Sequence, residues 1–256
     1  MLRRIWIALL LAVVSGMASV MAVKDAQAAT TALVNGSFVS PPAAWEVPGQ
    51  PDQIYEAINS WYGFAPTVAP WSPDTWVFPP SYSDIWGGGP TMAAILAGMP
   101  PGDLNVVTHS HGGNVAILAT YYMSRPLRRL INLGTPINWD LYGYLGGAGA
   151  YGRCQISSSS DWVQFAGSSP TQILNFAYAI YSSVVGAIAA FNALIVGDYW
   201  GALAYFQYSV FAVIVADYWW YSTKIEVDGP TYMFSGLGHE DLHKAGVWNA
   251  IAPYCG

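Results

Sequence analysis

One stretch of the sequence surrounds a serine with the residue types that make a hydroxyl reactive. It reads Val106-Val107-Thr108-His109-Ser110-His111-Gly112-Gly113-Asn114. An apolar, strand-like run leads into Ser110, and a helical pattern resumes at Gly112. A serine becomes nucleophilic on a tight strand-to-helix turn beside a general base, where backbone N–H groups face the developing oxyanion. The segment predicts a nucleophilic Ser110; the alternative is an incidental serine in an ordinary turn.

The general base must come from four histidines. His109 and His111 flank the serine inside the turn and cannot easily swing onto its hydroxyl. His239 follows the β-prone run 231–234 and a glycine-rich loop, so it lies just past the carboxyl end of a late strand. His243 comes one helical turn later and is better explained as a surface or capping residue. We therefore predict His239 as the base.

A carboxylate should orient the imidazole and stabilise its cation. Asp161 follows a short β-type segment and ends a run of serines that begins at Ser157, whose hydroxyls could hydrogen-bond it. We predict Asp161 as this acid, and the alternative is a helix N-cap. Asp140 comes one strand early, and Asp241 is too close to His239 in sequence to reach its far nitrogen.

These residues resemble the nucleophile turn of the α/β-hydrolase superfamily, especially lipase- and esterase-like members with a Gly-His-Ser-His-Gly-Gly motif. The resemblance spans roughly residues 31–248, apart from a long apolar stretch. It implies an α/β-hydrolase fold, ester hydrolysis and the chain order Ser110, Asp161, His239. Thr108 departs from the motif, which usually has Gly there. The threonine takes more room between strand and helix but removes no reacting group.

The resemblance also implies two backbone donors for an oxyanion hole. The first is the N–H of His111, directly after the nucleophile. The run Val34-Asn35-Gly36-Ser37 resembles the His-Gly-x turn of these enzymes, with Asn35 in place of His, so the N–H of Ser37 is the expected second donor. A plain Asn-Gly turn is the alternative. No metal or organic cofactor is expected.

The composition excludes several classes of protein. With 54% hydrophobic residues, 12 Trp and only 9% charged residues, the chain is not disordered. A net charge of −6 without a Lys/Arg cluster argues against nucleic acid as a partner. Two cysteines and four histidines are too few for a zinc ribbon. Among the esters that the resemblance implies as substrates, a neutral, hydrophobic one fits this composition.

Residues 1–28 are typical of a secretory signal peptide. Arg3 and Arg4 precede the uncharged apolar run 5–14, and Ala26-Gln27-Ala28 supplies a small–x–small cleavage pattern. A permanent N-terminal anchor is the alternative. We expect an exported protein, secreted or periplasmic.

Export permits a disulfide bond. Cys154 and Cys255 are the two cysteines of the chain, so they form the expected pair. Free thiols in a core are the alternative.

Strand-like and helical runs alternate through the chain, which predicts an α/β fold with a mostly parallel sheet and flanking helices. The strand candidates are 31–34, 104–107, 130–133, 154–158 and 231–234, and the helical ones are 91–98 and 112–123. Residues 40–90 are interpreted as loops joined by short strands. We expect one domain over residues 29–256, with an apolar helical insert at 171–222 before the last strand.

The insert contains a short internal repeat, since Ala193-Leu-Ile-Val-Gly-Asp-Tyr-Trp200 is similar in sequence to Ala212-Val-Ile-Val-Ala-Asp-Tyr-Trp219. We interpret it as a hairpin of two apolar helices. Three interpretations stay open: a lid or cap over the substrate, a hairpin in contact with a membrane, and plain packing. The whole pattern favours an exported serine hydrolase of carboxylic esters. The alternatives are a membrane-associated binding protein on an inactive hydrolase fold, and an acyltransferase.

Overall fold

A computed structural model describes residues 30–36, 45, 54–69, 82–142, 150–226 and 229–255. The described strands are β1 (Thr30–Val34), β2 (Thr67–Val68), β3 (Leu104–His109), β4 (Arg129–Leu133), β5 (Arg153–Ser158) and β6 (Thr231–Phe234). The helices are α1 (Ile54–Tyr62), α2 (Tyr82–Ala97), α3 (Gly112–Tyr122), α4 (Trp139–Tyr142), α5 (Trp162–Ala166), α6 (Pro170–Ile195), α7 (Tyr199–Ser222) and α8 (Ala245–Cys255). A 3-10 helix covers His239–His243. The signal peptide expected at 1–28 lies outside the described residues.

The six strands form one sheet in the order β2-β1-β3-β4-β5-β6, and all neighbours are parallel. This topology confirms the predicted α/β fold. The chain leaves β1 toward one side for β2 and returns on the other side for β3, where Val34 lies beside Thr108. The strand order reverses there, and open parallel sheets bind ligands outside the carboxyl ends of their strands at such a point.

The sheet is covered on both faces. Successive side chains of a strand point to opposite sides, so Val106 and Val107 belong to two separate apolar clusters. Helices α2 and α3 pack in the first cluster, which includes Leu118. Helices α1 and α8 pack in the second through Ile58 and Trp248. Strands buried on both faces explain why the sequence shows continuous apolar runs rather than alternation.

The predicted disulfide bond is confirmed. Cys154 in β5 and Cys255 at the end of α8 are joined, with their Cα atoms 5.8 Å apart. Both residues are buried in the second apolar cluster. The bond therefore ties the last helix to β5, the strand next to the edge strand β6.

The interpretation of residues 40–90 as loops and short strands is wrong for two segments. Helix α1 and the first half of α2 lie within that range. Ile54 and Ile58 stand one helical turn apart and are both fully buried, which gives α1 its core-facing side. The Trp, Pro and Gly content around this short helix obscured that spacing.

Helices α6 and α7 form the predicted hairpin, joined by a short turn around Gly197 and placed before β6. Ser169 caps α6 with a complete capping box, and Asp198 caps α7 by accepting the N–H of Gly201. By length and composition, each helix could cross a membrane. The disulfide and these two apolar helices are compatible with an exported or membrane-associated protein.

Candidate active site

Ser110 occupies a strained backbone position at the carboxyl end of β3. Its φ is +52°, and it is the non-glycine residue with positive φ in the described part of the chain. This left-handed conformation costs roughly 1–2 kcal/mol for an L-residue. The backbone N–H of Ser110 donates to the carbonyl of Leu133 at 2.9 Å, which ties the turn to the end of β4. Strain of this kind concentrates at functional sites.

Glycines allow the backbone to crowd around this turn. A Cβ added to Gly36, just after β1, would lie 2.6 Å from the Cβ of Ser110. A Cβ on Gly112 would collide with the carbonyl oxygen of Asn35, so α3 starts against the end of β1. The ends of β1 and β3 therefore meet at the serine, at the point where the strand order reverses.

Thr108, the departure from the family motif, is accommodated within the sheet. Its side chain is fully buried, and its hydroxyl donates to the side-chain oxygen of Asn132 at 2.8 Å. A Cβ on Gly113 would collide with the hydroxyl of Thr135, so the close approach of α3 to the strand ends depends on that glycine.

His239 and Asp161 are brought together from two different strand ends. Nδ1 of His239 lies 2.7 Å from Oδ2 of Asp161, and the two side chains are 8% and 1% exposed. Asp161 follows β5 and His239 follows β6, as the sequence predicts. The pair lies at the carboxyl edge of the sheet, on the same edge as Ser110.

The 3-10 helix carries the imidazole back over the end of β4. Leu242 anchors this helix in the second apolar cluster. A Cβ on Gly134, which has φ +62°, would lie 3.2 Å from Cε1 of His239. The rings of His109 and His239 have centroids 4.9 Å apart. His239 therefore lies beside the serine turn, because Gly134 follows Leu133 and His109 precedes Ser110.

The far nitrogen of the imidazole is buried and available. Within the described residues, Nε2 of His239 makes no hydrogen bond, and none joins it to the hydroxyl of Ser110. Catalytic hydrogen bonds are often long or poorly aligned before substrate binds, and they tighten in the substrate complex.

Asp161 makes the contacts of both alternatives that the sequence left open, the helix N-cap and the partner of the imidazole. Its Oδ1 accepts the backbone N–H groups of Val163 and Gln164 at 2.8 and 3.1 Å and so caps α5, while Oδ2 faces the imidazole. The expectation that the serine hydroxyls bind this carboxylate is wrong for Ser158. Its hydroxyl donates to the carbonyl of Leu237 at 2.7 Å, which holds the loop just before His239.

Lys224 is a buried cation that the sequence analysis missed. Its side chain is fully buried, and Nζ lies 3.6 Å from the ring centroid of Trp220. Burial lowers the pKa of Lys224 to about 8, and the carboxylate of Asp161 opposes that shift. The sequence signal was a lone lysine at the end of a long apolar stretch.

One group of side chains in the described chain could hold a metal ion. Ligand atoms of His109, His239 and Glu240 lie within 4.8 Å of one another. Sequence reasoning did not foresee this group, since His109 ends β3 and the other two residues begin the 3-10 helix, 130 residues later. Asp161 already engages Nδ1 of His239, so Nε2 is the ring nitrogen left for such an ion.

Of the remaining residues considered in the sequence, the side chains of His111 and Asp241 are described by the structure and those of the others lie outside it. His111 is buried and stands at the N-terminus of α3. Ser37, the other expected oxyanion donor, lies outside the described residues, as do the side chains of Asp140 and His243. Asp241 accepts the N–H of Gly238 at 2.9 Å and caps the 3-10 helix.

Comparison with protein families and with curated proteins finds no match for this chain.

Proposed function

We propose that this chain is a serine hydrolase of carboxylic esters, of the α/β-hydrolase type. Ser110 is the nucleophile, His239 the general base and Asp161 the acid that holds the base. The observation that carries the proposal is the 2.7 Å contact between Nδ1 of His239 and Asp161, beside a serine at φ +52°. Three residues from three strand ends converge where ligands bind in parallel sheets.

The contact with Asp161 determines which nitrogen of His239 can accept a proton. Because a carboxylate only accepts, Nδ1 must carry a hydrogen and donate it to Oδ2. Nε2 then keeps its lone pair and serves as the base. The negative charge of Asp161 also stabilises the imidazolium that forms.

The reaction proceeds in two balanced halves. The oxygen of Ser110 attacks the ester carbonyl while its proton passes to Nε2 of His239, and the alkoxide leaves with that proton as an alcohol. Water then attacks the acyl-serine, gives a proton to Nε2, and the acid is released as serine is regenerated. The N–H groups of His111 and Ser37 are the proposed donors to the oxyanion.

An uncharged hydrophobic ester is the proposed substrate class. The net charge of −6 disfavours anionic substrates, and long-range repulsion would slow their encounter. Trp162, the residue after Asp161, is 65% exposed and packs against Trp220 with ring centroids 4.3 Å apart. An exposed aromatic surface beside the proposed acid suits apolar groups better than phosphorylated ones.

The proposal is tested by measuring ester hydrolysis and covalent labelling of the serine in the wild type, in a Ser110 variant and in a control serine variant. Ser110→Ala should lose hydrolysis of p-nitrophenyl butyrate by 10³-fold or more and should lose labelling by a fluorophosphonate probe, whose adduct should map to Ser110 in the wild-type chain. Ser160→Ala, in the exposed serine loop, is the control and should keep both. Circular dichroism should be unchanged in each variant.

The same experiment distinguishes the two alternatives. Folded wild-type protein that neither labels nor hydrolyses esters refutes the proposal and leaves a binding protein on this fold. Ester product in place of free acid, when an alcohol is added at a low concentration, identifies acyl transfer, since water and alcohol compete for one acyl-enzyme.

A further inference from the structure

The α6–α7 hairpin exposes large apolar side chains along most of its length. Six of them are between 57% and 66% exposed, namely Tyr181, Ile188, Phe191, Phe206, Phe211 and Ile214. A water-soluble helix pair places such residues against each other or against a core, with polar residues outside. This hairpin has the opposite arrangement.

Small residues line the contact between the two helices. Ala179, Ala193, Ala202 and Ala212 are at most 8% exposed. A Cβ on Gly186 would lie 2.9 Å from the ring of Tyr208, so the backbones approach closely there. Small residues inside and large apolar residues outside are typical of helices packed within lipid, where no hydrophobic force drives the large side chains together.

A polar contact inside the seam agrees with this arrangement. The hydroxyl of Ser209 in α7 donates to the backbone carbonyl of Ser183 in α6 at 2.8 Å. Hydrogen bonds from serine hydroxyls join helices within lipid, where neither the hydroxyl nor the carbonyl can bond to water.

Each of the two helices is long enough to cross the hydrocarbon of a bilayer. With 26 and 24 residues, they extend roughly 39 and 36 Å at 1.5 Å per residue, against about 30 Å of hydrocarbon. Asp, Glu, Lys, Arg and His are all absent from residues 170–197 and 199–216. The shorter of these charge-free stretches, residues 199–216, extends roughly 27 Å, which is close to the thickness of the hydrocarbon.

The internal sequence repeat places an Asp-Tyr-Trp triplet near each boundary of the hydrocarbon layer. Asp198-Tyr199-Trp200 begins α7 and Asp217-Tyr218-Trp219 lies near its end, nineteen residues apart. At 1.5 Å per residue the two triplets are roughly 28 Å apart along the helix. Tyr and Trp concentrate at both interfaces of a membrane, and acidic residues lie outside the hydrocarbon. Trp200 is 83% exposed at the far tip.

The hairpin joins the described part of the domain at its base. Phe176 of α6 packs on Phe165 of α5, with centroids 4.8 Å apart. Trp220 of α7 donates its indole N–H to the carbonyl of Ser159 at 3.1 Å, and Trp139 packs against Trp219. These contacts fix the hairpin to the sheet domain and leave its distal part for another environment.

We propose that α6 and α7 span the hydrocarbon of a lipid bilayer as a hairpin, with the sheet domain on one side and the turn at Gly197 on the other. A second copy of the chain would cover one face of the hairpin. At roughly 100° per residue, however, the exposed side chains of Val213, Phe211 and Tyr208 spread over about 200° of α7, which is more than half of its circumference. Acyl chains enclose such a surface, and this assignment is independent of the ester chemistry.

The test places one thiol at the turn and one on the domain. Full-length Val196→Cys and Tyr151→Cys, at positions 78% and 81% exposed, are diluted from detergent into preformed phosphatidylcholine vesicles so that the domain stays outside. A membrane-impermeant maleimide should label Y151C at once and V196C only after detergent is added, a difference of at least ten-fold. Equal labelling of both thiols in intact vesicles overturns the proposal.

A second measurement uses flotation of the vesicles through a density gradient. Ile188→Glu places a charge at mid-height on an exposed position, so it should leave the fold intact and reduce partition into vesicles roughly 60- to 300-fold. Tyr151→Glu is the control and should float like the wild type. Wild-type protein that stays out of the vesicle fraction and forms discrete dimers by light scattering overturns the proposal in favour of a second copy.

Discussion

Replacing Asp161 with Asn separates the two functions that its carboxylate combines. Oδ1 caps α5 through the N–H groups of Val163 and Gln164, while Oδ2 accepts a hydrogen bond from Nδ1 of His239. An amide keeps one oxygen for the helix but presents an NH₂ donor to the ring. The imidazole must then carry its proton on Nε2, where it can no longer act as a base.

The expected losses differ between Asn and Ala at this position. Asp161→Asn should lower kcat for p-nitrophenyl butyrate by roughly 10⁴-fold and change the free energy of unfolding by less than about 1 kcal/mol. Asp161→Ala should lose the same activity and also about 2–4 kcal/mol, from the missing cap and the unpaired imidazole N–H. For a domain of this size, that corresponds to a fall in Tm of roughly 4–16 °C.

The assay is steady-state hydrolysis at pH 8 together with thermal unfolding in the same detergent. Asp198→Asn is the matched control, because Asp198 also caps a helix, through Gly201 at 2.9 Å, but lies at the far tip of the hairpin. It should keep full kcat. Turnover of Asp161→Asn within ten-fold of the wild type would refute the reasoning, as would equal stability losses for Asn and Ala.

Three further predictions concern positions around the site. Gly134→Ala and Gly63→Ala both impose positive φ on an alanine, and each should cost roughly 1–2 kcal/mol in thermal unfolding. Of the two, Gly134 lies against the imidazole of His239, so G134A alone should lower kcat by ten- to hundred-fold. Equal kcat values for the two variants contradict this. The pKa of Lys224 is about 8 in the fold against 10.5 outside it, so its burial penalty is full below pH 8 and shrinks as pH rises. Between pH 8 and 10 the wild type should therefore gain about 2 kcal/mol of stability relative to Lys224→Met, and a flat difference in their unfolding contradicts it. Replacing Cys154 and Cys255 with Ser should cost roughly 4–5 kcal/mol in denaturant unfolding on the chain-entropy model, and an unchanged midpoint contradicts that.

The strands and the chain order of the site could be predicted because each signal is local. Leu104 begins an apolar run that leads to Ser110 and then to two glycines, and the last strand is predicted at Thr231–Phe234, where the structure has it. Helix α1 was missed because nine residues give only two buried positions, Ile54 and Ile58, within a Trp- and Pro-rich context. Short helices depend on tertiary packing more than on their own sequence.

The position of the imidazole above β4 could not be read from the sequence. It depends on Leu242 reaching the core and on the absent side chain of Gly134, which stands more than a hundred residues earlier in the chain. Lys224 was missed for a different reason. Lysine is rarely buried, so no pattern rule assigns it to an interior beside Trp220. Both features come from contacts between elements that are distant in sequence.

The proposed site and the proposed lipid-spanning hairpin share one joint. Asp161 caps α5, and α5 carries Trp162 and Phe165 directly onto Trp220 at the base of the hairpin, with ring centroids 4.3 and 5.1 Å apart. A substitution at Trp220 would therefore disturb the lipid anchor, the Lys224 cation and the acid together, and its effects could not be assigned. The distal position Ile188 is the informative one, because a change there can reach the site only through the whole hairpin. If the hairpin serves anchoring alone, Ile188→Glu should keep full turnover of a water-soluble ester while it loses the membrane.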